Sequence, residues 1–340
     1  MAPATPDPET GAGQPYLTAR GEILVRYGCA MSATESARTS WTDLPDEIRA
    51  FIAQLLDGPV VEAVSQSAGF SPGSADRVRT ADGRRAFVKA VQRAPHPGTY
   101  DLHLRELEVM QMMPSGISAP SLIGSFVSPD WIALILEDVD GKHPGSALDG
   151  GDVVAVLDAL MTLPVLAEDT ALPRAVDELA VDASGWAELQ DEAAVGDLPE
   201  WVQASFVRLR QSAEAVSTTA AGDHLLHLDC RADNLLIDAE GAAWIIDWPW
   251  AGIGARWVDG LCYLLDARLR GEAVDAEGHL ARHPLFDGVA SASIDSVLAA
   301  LTGGFFAKAR RPVPASMPAL RDFQRSEALA GVAWLRERWG

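Results

Sequence analysis

Lysine is nearly missing from this chain. Three lysines, Lys89, Lys142 and Lys308, stand against 24 arginines in 340 residues. Basic residues as a class are outnumbered 27 to 48, for a formal net charge of −21. A surface that neutralises nucleic-acid phosphates needs clustered Lys and Arg, so nucleic acid is excluded as the main partner. Long apolar runs are missing too, so no membrane span is expected. No basic start leads into an apolar stretch, which argues against a signal peptide. The three cysteines, Cys29, Cys230 and Cys262, have no metal spacing and no even count. They fit a reducing cytoplasm. There is no Gly-x-x-x-x-Gly-Lys-Ser/Thr, which removes a Walker A phosphate loop, and no internal repeat.

What is present is a core. Hydrophobic residues make up 48% of the chain, enough for one large two-lobed domain or two ordinary ones. Residues 1–37 are rich in Pro, Ala, Thr, Gly and Ser and read as a disordered extension. Asp43 reads as the N-cap of a helix with Pro45 in its first turn, carried by Leu44, Ile48, Phe51, Ile52, Leu55 and Leu56. Gly58-Pro59 stops it. Three strands follow, Val60–Ser65, Ala75–Thr80 and Arg85–Val91, the last two joined by a tight turn at residues 81–84. Between the first two lies a loop of small residues that includes Gly69, Ser71, Gly73 and Ser74. Small residues let backbone N–H groups approach phosphate oxygens, although many such loops are only turns.

Lys89 stands in the middle of the apolar strand Ala86–Val91. A lysine half-buried in a strand needs an anionic partner. The next helix, about Tyr100–Met113, offers Glu106 and Glu108. A further strand pair, Ser121–Val127 and Trp131–Leu136, ends where Glu137–Gly141 breaks the pattern. From Gly151 onward the periodicity is helical, with helices near Val153–Leu160, Trp201–Val216, Arg256–Arg270, Ile294–Arg310 and Ala319–Trp339. From Asp149 to Glu200 there are 13 acidic residues and one basic, Arg174. That segment is either a solvated helical face or an acidic wall that attracts a cationic substrate.

One hairpin interrupts the helices. Leu235–Ile237 and Ala242–Ile246 flank the turn at residues 238–241. The loop His227–Asn234 precedes it and Asp247 ends it. Asp229, Asn234 and Asp247 are thereby held close. Two carboxylates and an amide oxygen suit a hard cation such as Mg²⁺, with one carboxylate left to accept a proton.

His227-x-Asp229-x-x-x-x-Asn234, followed by Ile-Ile-Asp247-Trp, resembles the catalytic and metal-binding loops of aminoglycoside phosphotransferases and, more broadly, the protein-kinase-like fold. The resemblance covers about residues 40–340. It implies an α+β, bilobal fold: a nucleotide-clamping antiparallel lobe at 38–138 and a mostly helical lobe at 139–340 that carries catalysis and acceptor binding. Asp229 would orient a substrate hydroxyl and take its proton, and Asn234 and Asp247 would hold Mg²⁺. Lys89, paired with Glu106, would bind ATP phosphates beneath the Gly69–Ser74 loop. The Glu137 carbonyl and Val139 N–H would meet adenine. Arg231 would neutralise charge on the transferring phosphoryl group, or be bound up with Asp233 or Asp247. Trp248-Pro249 stands where protein kinases have Phe-Gly, and no Ala-Pro-Glu-like segment follows, which argues against a regulated protein kinase.

The expectation is a cytoplasmic, ATP- and Mg²⁺-dependent kinase, monomeric or dimeric. Its acceptor would be a hydroxyl on a small cationic molecule such as an aminoglycoside-like antibiotic, and its role antibiotic resistance. A peptide Ser/Thr kinase of a biosynthetic pathway and a non-catalytic nucleotide-binding scaffold are the alternatives.

Overall fold

A computed structural model describes residues 39–66, 72–145, 151–191, 195–314 and 317–340. The expected extension at 1–37, Gly69 and Ser71 of the expected phosphate loop, and Asp149 and Glu192 of the acidic segment lie outside the described residues.

The N-terminal part is a five-stranded antiparallel sheet in the order β1-β2-β3-β5-β4. Its strands are β1 (Val60–Ser65), β2 (Ser74–Thr80), β3 (Arg85–Gln92), β4 (Leu122–Val127) and β5 (Trp131–Leu136). Central strand β3 alternates, as a two-sided strand must. Ala86, Val88 and Ala90 face a small core completed by Ile48 and Ile52 of helix α1 (Asp46–Leu55). Lys89 is out of phase with them and points to the other face, where helix α2 (Pro97–Met112) packs.

The expected N-cap at Asp43 is not one. Asp43 ends a 3-10 turn, Trp41–Asp43, where its carboxylate accepts bonds from Ser40 N and Oγ at 3.0 and 2.6 Å. Pro45 forces the residue before it out of helical geometry, and Leu44 is extended at φ −66°, ψ 143°. The helix therefore begins only at Asp46.

The chain crosses to the helical part at residues 137–140. Asp138 is buried there, accepting from Arg77 Nε at 2.6 Å and Arg85 Nε at 2.7 Å, so this connection is tied back to the sheet. Strand β6 (Gly141–Lys142) then pairs with β8 (Leu235–Asp238), which pairs with β9 (Ala243–Ile245). A second small pair joins β7 (His224–Leu226) to β10 (Gly252–Gly254).

Around these strands pack α3 (Gly151–Met161), α4 (Ala175–Glu188), α5 (Glu200–Glu214), α6 (Val216–Thr219), α7 (Val258–Leu269), α8 (Ala276–Arg282), α9 (Ser291–Ala309) and α10 (Leu320–Trp339). Helices α4 and α8 were not expected. The C-terminal half of α4 carries Ser184 and Gly185, which weaken helix propensity. Their reason is tertiary: a Cβ on Gly185 would lie 2.4 Å from the Gly303 carbonyl of α9. The two helices cross at backbone contact. Trp186 closes the crossing by donating Nε1–H to the Ala299 carbonyl at 2.8 Å.

Candidate active site

The loop His227–Asn234 is fixed from three sides. Asp259, fully buried on α7, accepts from the N–H of His227 at 2.6 Å and of Leu228 at 2.9 Å. That brace holds Leu228 at φ +59°, a left-handed conformation costly for a leucine. His227 donates Nε2–H to the Ile246 carbonyl at 2.9 Å, so its Nδ1 accepts from the Asp229 N–H at 3.3 Å. Trp248 packs edge-on against the imidazole. Asp266 caps the loop's last turn through the Ala232 N–H at 3.0 Å.

Asp229 and Asn234 meet at the end of this loop. Asn234 donates its amide to the Asp229 carbonyl at 2.8 Å and to Oδ2 at 3.0 Å. The other carboxylate oxygen, Oδ1, is buried without a hydrogen-bond partner. Burial, opposed mainly by Arg231, pushes the Asp229 carboxyl up to about 8. Arg231 is 5% exposed, gives Nη2 to Asp233, and keeps Nε 3.8 Å from Asp229 Oδ1.

The second half of the site comes from the sheet. Lys89 Nζ lies 2.7 and 2.9 Å from the two Glu106 oxygens and 2.7 Å from Asp247 Oδ1. Glu106 also accepts the Trp248 N–H at 3.3 Å. Glu108 is exposed, so the choice between the two glutamates is settled by burial. Asp247 follows β9 at φ +66°, which turns the chain sharply at the carboxylate. Burial works to raise the Asp247 pKa, but the Lys89 ammonium outweighs it and holds the group below its ordinary value. Glu106 stays raised, because its burial outweighs the same ammonium.

Gly73 and Ser74 sit beside Lys89, with Ser74 opposite Ala90 and Ala75 opposite Lys89 across the ladder. A Cβ on Gly73 would lie 2.4 Å from the Ala90 carbonyl, so only glycine lets the loop leave the sheet here. The Ser74 hydroxyl is buried and unpaired. Glu137 and Val139 lie on the crossing between the two parts. Glu137 N–H donates to Ser121 O at 2.9 Å, and the Val139 carbonyl accepts from Arg77 at 3.4 Å.

The donors suit a hard divalent cation. Asn234 and Asp247 both offer oxygen, and Mg²⁺ asks for only one or two protein ligands when phosphates and water complete its shell. Among the described residues no group of three His, Cys, Asp or Glu side chains could hold a metal.

The acidic segment is partly structural. Asp182 forms a buried pair with Lys308, and Asp158 meets His283 at 3.2 Å. Glu188 and Asp197 lie 3.5 and 3.6 Å from Arg311 and Arg310. Glu168, Asp169, Asp177, Asp191 and Glu200 are exposed. Asp138, Asp259 and Asp266 were missed as supporting residues. The signal for Asp259 was an aspartate inside an apolar helical run, where a carboxylate needs buried donors.

The sequence pattern of the phosphotransferase enzyme family matches residues 69–290, a span that includes β2 through α8. The chain belongs to that family. It is a phosphotransferase that acts on hydroxyl groups. The phosphotransferase is similar in fold to the aminoglycoside phosphotransferase APH(4)-Ia, with a TM-score of 0.52 and 15% identity over 85% of this chain and 97% of that one. It is also similar to the amicoumacin kinase hAmiN, solved with AMP-PNP, Ca²⁺ and Ami, with a TM-score of 0.52 and 12% identity over 85% and 94% of the two chains. No curated protein sequence matches it.

Proposed function

We propose that this phosphotransferase is a small-molecule kinase that moves the γ-phosphoryl group of ATP to a hydroxyl of a cationic acceptor. The observation that carries the reading is Asp229 Oδ1, buried, unpaired and raised in basicity beside the Lys89–Asp247 junction. A carboxylate oxygen without a protein partner can accept the acceptor's O–H, orient it, and take its proton as the new bond forms.

The remaining residues divide the work. Asn234 pins the other Asp229 oxygen and, with Asp247, provides the oxygen ligands for Mg²⁺. When bound, that ion supplies charge neutralisation on the phosphates. Lys89 binds phosphate oxygens and Glu106 keeps its ammonium in place. Backbone N–H groups around Gly73 and Ser74 cradle the phosphates. The Glu137 carbonyl and Val139 N–H take the adenine edge. Arg231 directs its charge at Asp229 and Asp233 from the buried side. Catalysis of this kind rests on positioning and fixed electrostatics.

Support for a cationic acceptor comes from the net charge of −21 and from the exposed carboxylates Glu168, Asp169, Asp177, Asp191 and Glu200. The test is transfer of labelled phosphate from ATP to a panel of aminoglycosides, other basic antibiotics, neutral alcohols and Ser-containing peptides. Turnover of basic small molecules alone is expected. Efficient transfer to peptides or to neutral alcohols would displace this reading.

A further inference from the structure

Behind the catalytic loop, a guanidinium and a carboxyl group are buried with bonds unmade. Arg231 and Glu327, the latter on α10, are each 5% exposed. Arg231 Nε and Nη1 and Glu327 Oε2 have no hydrogen-bond partner. Both side chains line one cavity of about 20 Å³, walled also by Leu265, Asp266, Leu301 and Phe305. A buried polar group without a partner is expensive, and two such side chains lining one void point to something inside it. A water needs about 10–15 Å³ and two or more polar partners. This cavity meets both conditions for one water. The guanidinium would donate to it, and it would donate to Glu327.

The consequence reaches Asp229. Arg231 lies over the Phe323 ring at 5.7 Å and gives Nη2 to Asp233. Its Nε stops 3.8 Å from Asp229 Oδ1, beyond hydrogen-bond reach. If the guanidinium closed that gap, it would occupy Oδ1 and weaken it as a proton acceptor. Asp233 pulls on one nitrogen, and the cavity offers a second anchor on another.

We propose that Glu327 is a positioning residue: through one ordered water it holds Arg231 off Asp229 and so keeps the Asp229 oxygen free for the acceptor hydroxyl. The proposal rests on the reading of Asp229 as the proton acceptor. Burial pushes the Glu327 carboxyl well above its ordinary range, with Arg231 the main opposing influence; a carboxylate would accept from that water and a carboxylic acid would donate to it or accept from it.

The first test is a high-resolution crystal structure of the full chain. It should show one ordered water within about 3.2 Å of both Arg231 and Glu327. An empty cavity overturns the proposal whatever Asp229 does. The second test is kinetic. Glu327→Leu should lower kcat on the order of tenfold to a hundredfold with nucleotide affinity unchanged, while Glu327→Gln, which can still bond the water, retains most of the rate. In an Arg231→Met background the same Glu327→Leu change should have no further effect, because its action runs through Arg231. An equal fold-loss in that background sinks the idea, as does a folded Glu327→Leu enzyme with wild-type kcat. If Glu327→Leu does not fold, the crystallographic water and the Glu327→Gln rate in the two backgrounds decide. A fully active Asp229→Asn would instead remove the underlying reading and leave the water in place.

Discussion

The Asn234 side chain bonds Asp229 twice, at its carbonyl and at Oδ2, and so assigns different tasks to the two oxygens of one carboxylate. Oδ2 accepts the Asn234 amide, and Oδ1 is left without a partner, the oxygen that in the proposed reading takes the acceptor's proton. Asp229→Asn keeps the shape but removes the proton acceptor. It should lower kcat by roughly 10²–10⁴ with little change in nucleotide affinity by calorimetry. Wild-type turnover in this variant would end the assignment.

Asp247 should behave differently. Its carboxylate meets Lys89 at 2.7 Å and is the anionic ligand expected for Mg²⁺. Asp247→Ala should abolish Mg²⁺-dependent nucleotide binding, whereas Asp229→Asn should not. Equal Mg²⁺-ATP affinity in Asp247→Ala and wild type would make Asp247 a structural residue.

Asp259 carries a stability prediction. Asp259→Ala leaves the buried N–H groups of His227 and Leu228 without acceptors. At about 1–3 kcal/mol for each orphaned group, the loss should be roughly 2–6 kcal/mol. Urea unfolding followed by circular dichroism measures it. An unchanged midpoint would show that the loop does not depend on this brace.

His103 sets an acid limit. Burial, reinforced by the Lys89 charge and opposed by Asp247, lowers its pKa to about 4. The unfolded imidazole takes up its proton near pH 6.5, before the folded one does. Stability is therefore complete above about pH 6.5 and is lost as pH falls toward 4, by up to about 3 kcal/mol. His103→Gln should flatten that part of the stability–pH curve. A curve of wild-type slope would show that other groups carry the acid sensitivity.

Salt tests the acceptor's charge. If exposed carboxylates steer a cation, its apparent affinity should fall as ionic strength rises and the screening length shortens to about 8–10 Å. ATP affinity serves as the internal comparison. An acceptor bound equally well at low and high salt would make the acidic segment a solvated face.

The candidate site was legible where its side chains lie at short spacing. Asp229 and Asn234 lie on one loop, and Lys89 contradicts its apolar strand, so both stand out from their surroundings. Glu106 could be preferred but not fixed, because only packing separates it from Glu108. The supports were harder to see. Asp259 and Asp138 act on backbone groups or arginines far away in sequence, and no local pattern marks such partners. Helix α4 was hidden for a related reason. Its Gly185 obeys the backbone of α9 rather than its own neighbours, so local propensity reads it wrongly.

Lys89 and Asp247 are 158 residues apart along the chain, yet they share a hydrogen bond. The hairpin of β2 and β3 and the hairpin of β8 and β9 each close over a few residues and can form early. The contact between them must wait until both parts have folded and met. Refolding from urea should therefore restore helical signal before it restores turnover, and mild denaturant should silence the enzyme while most of its secondary structure survives.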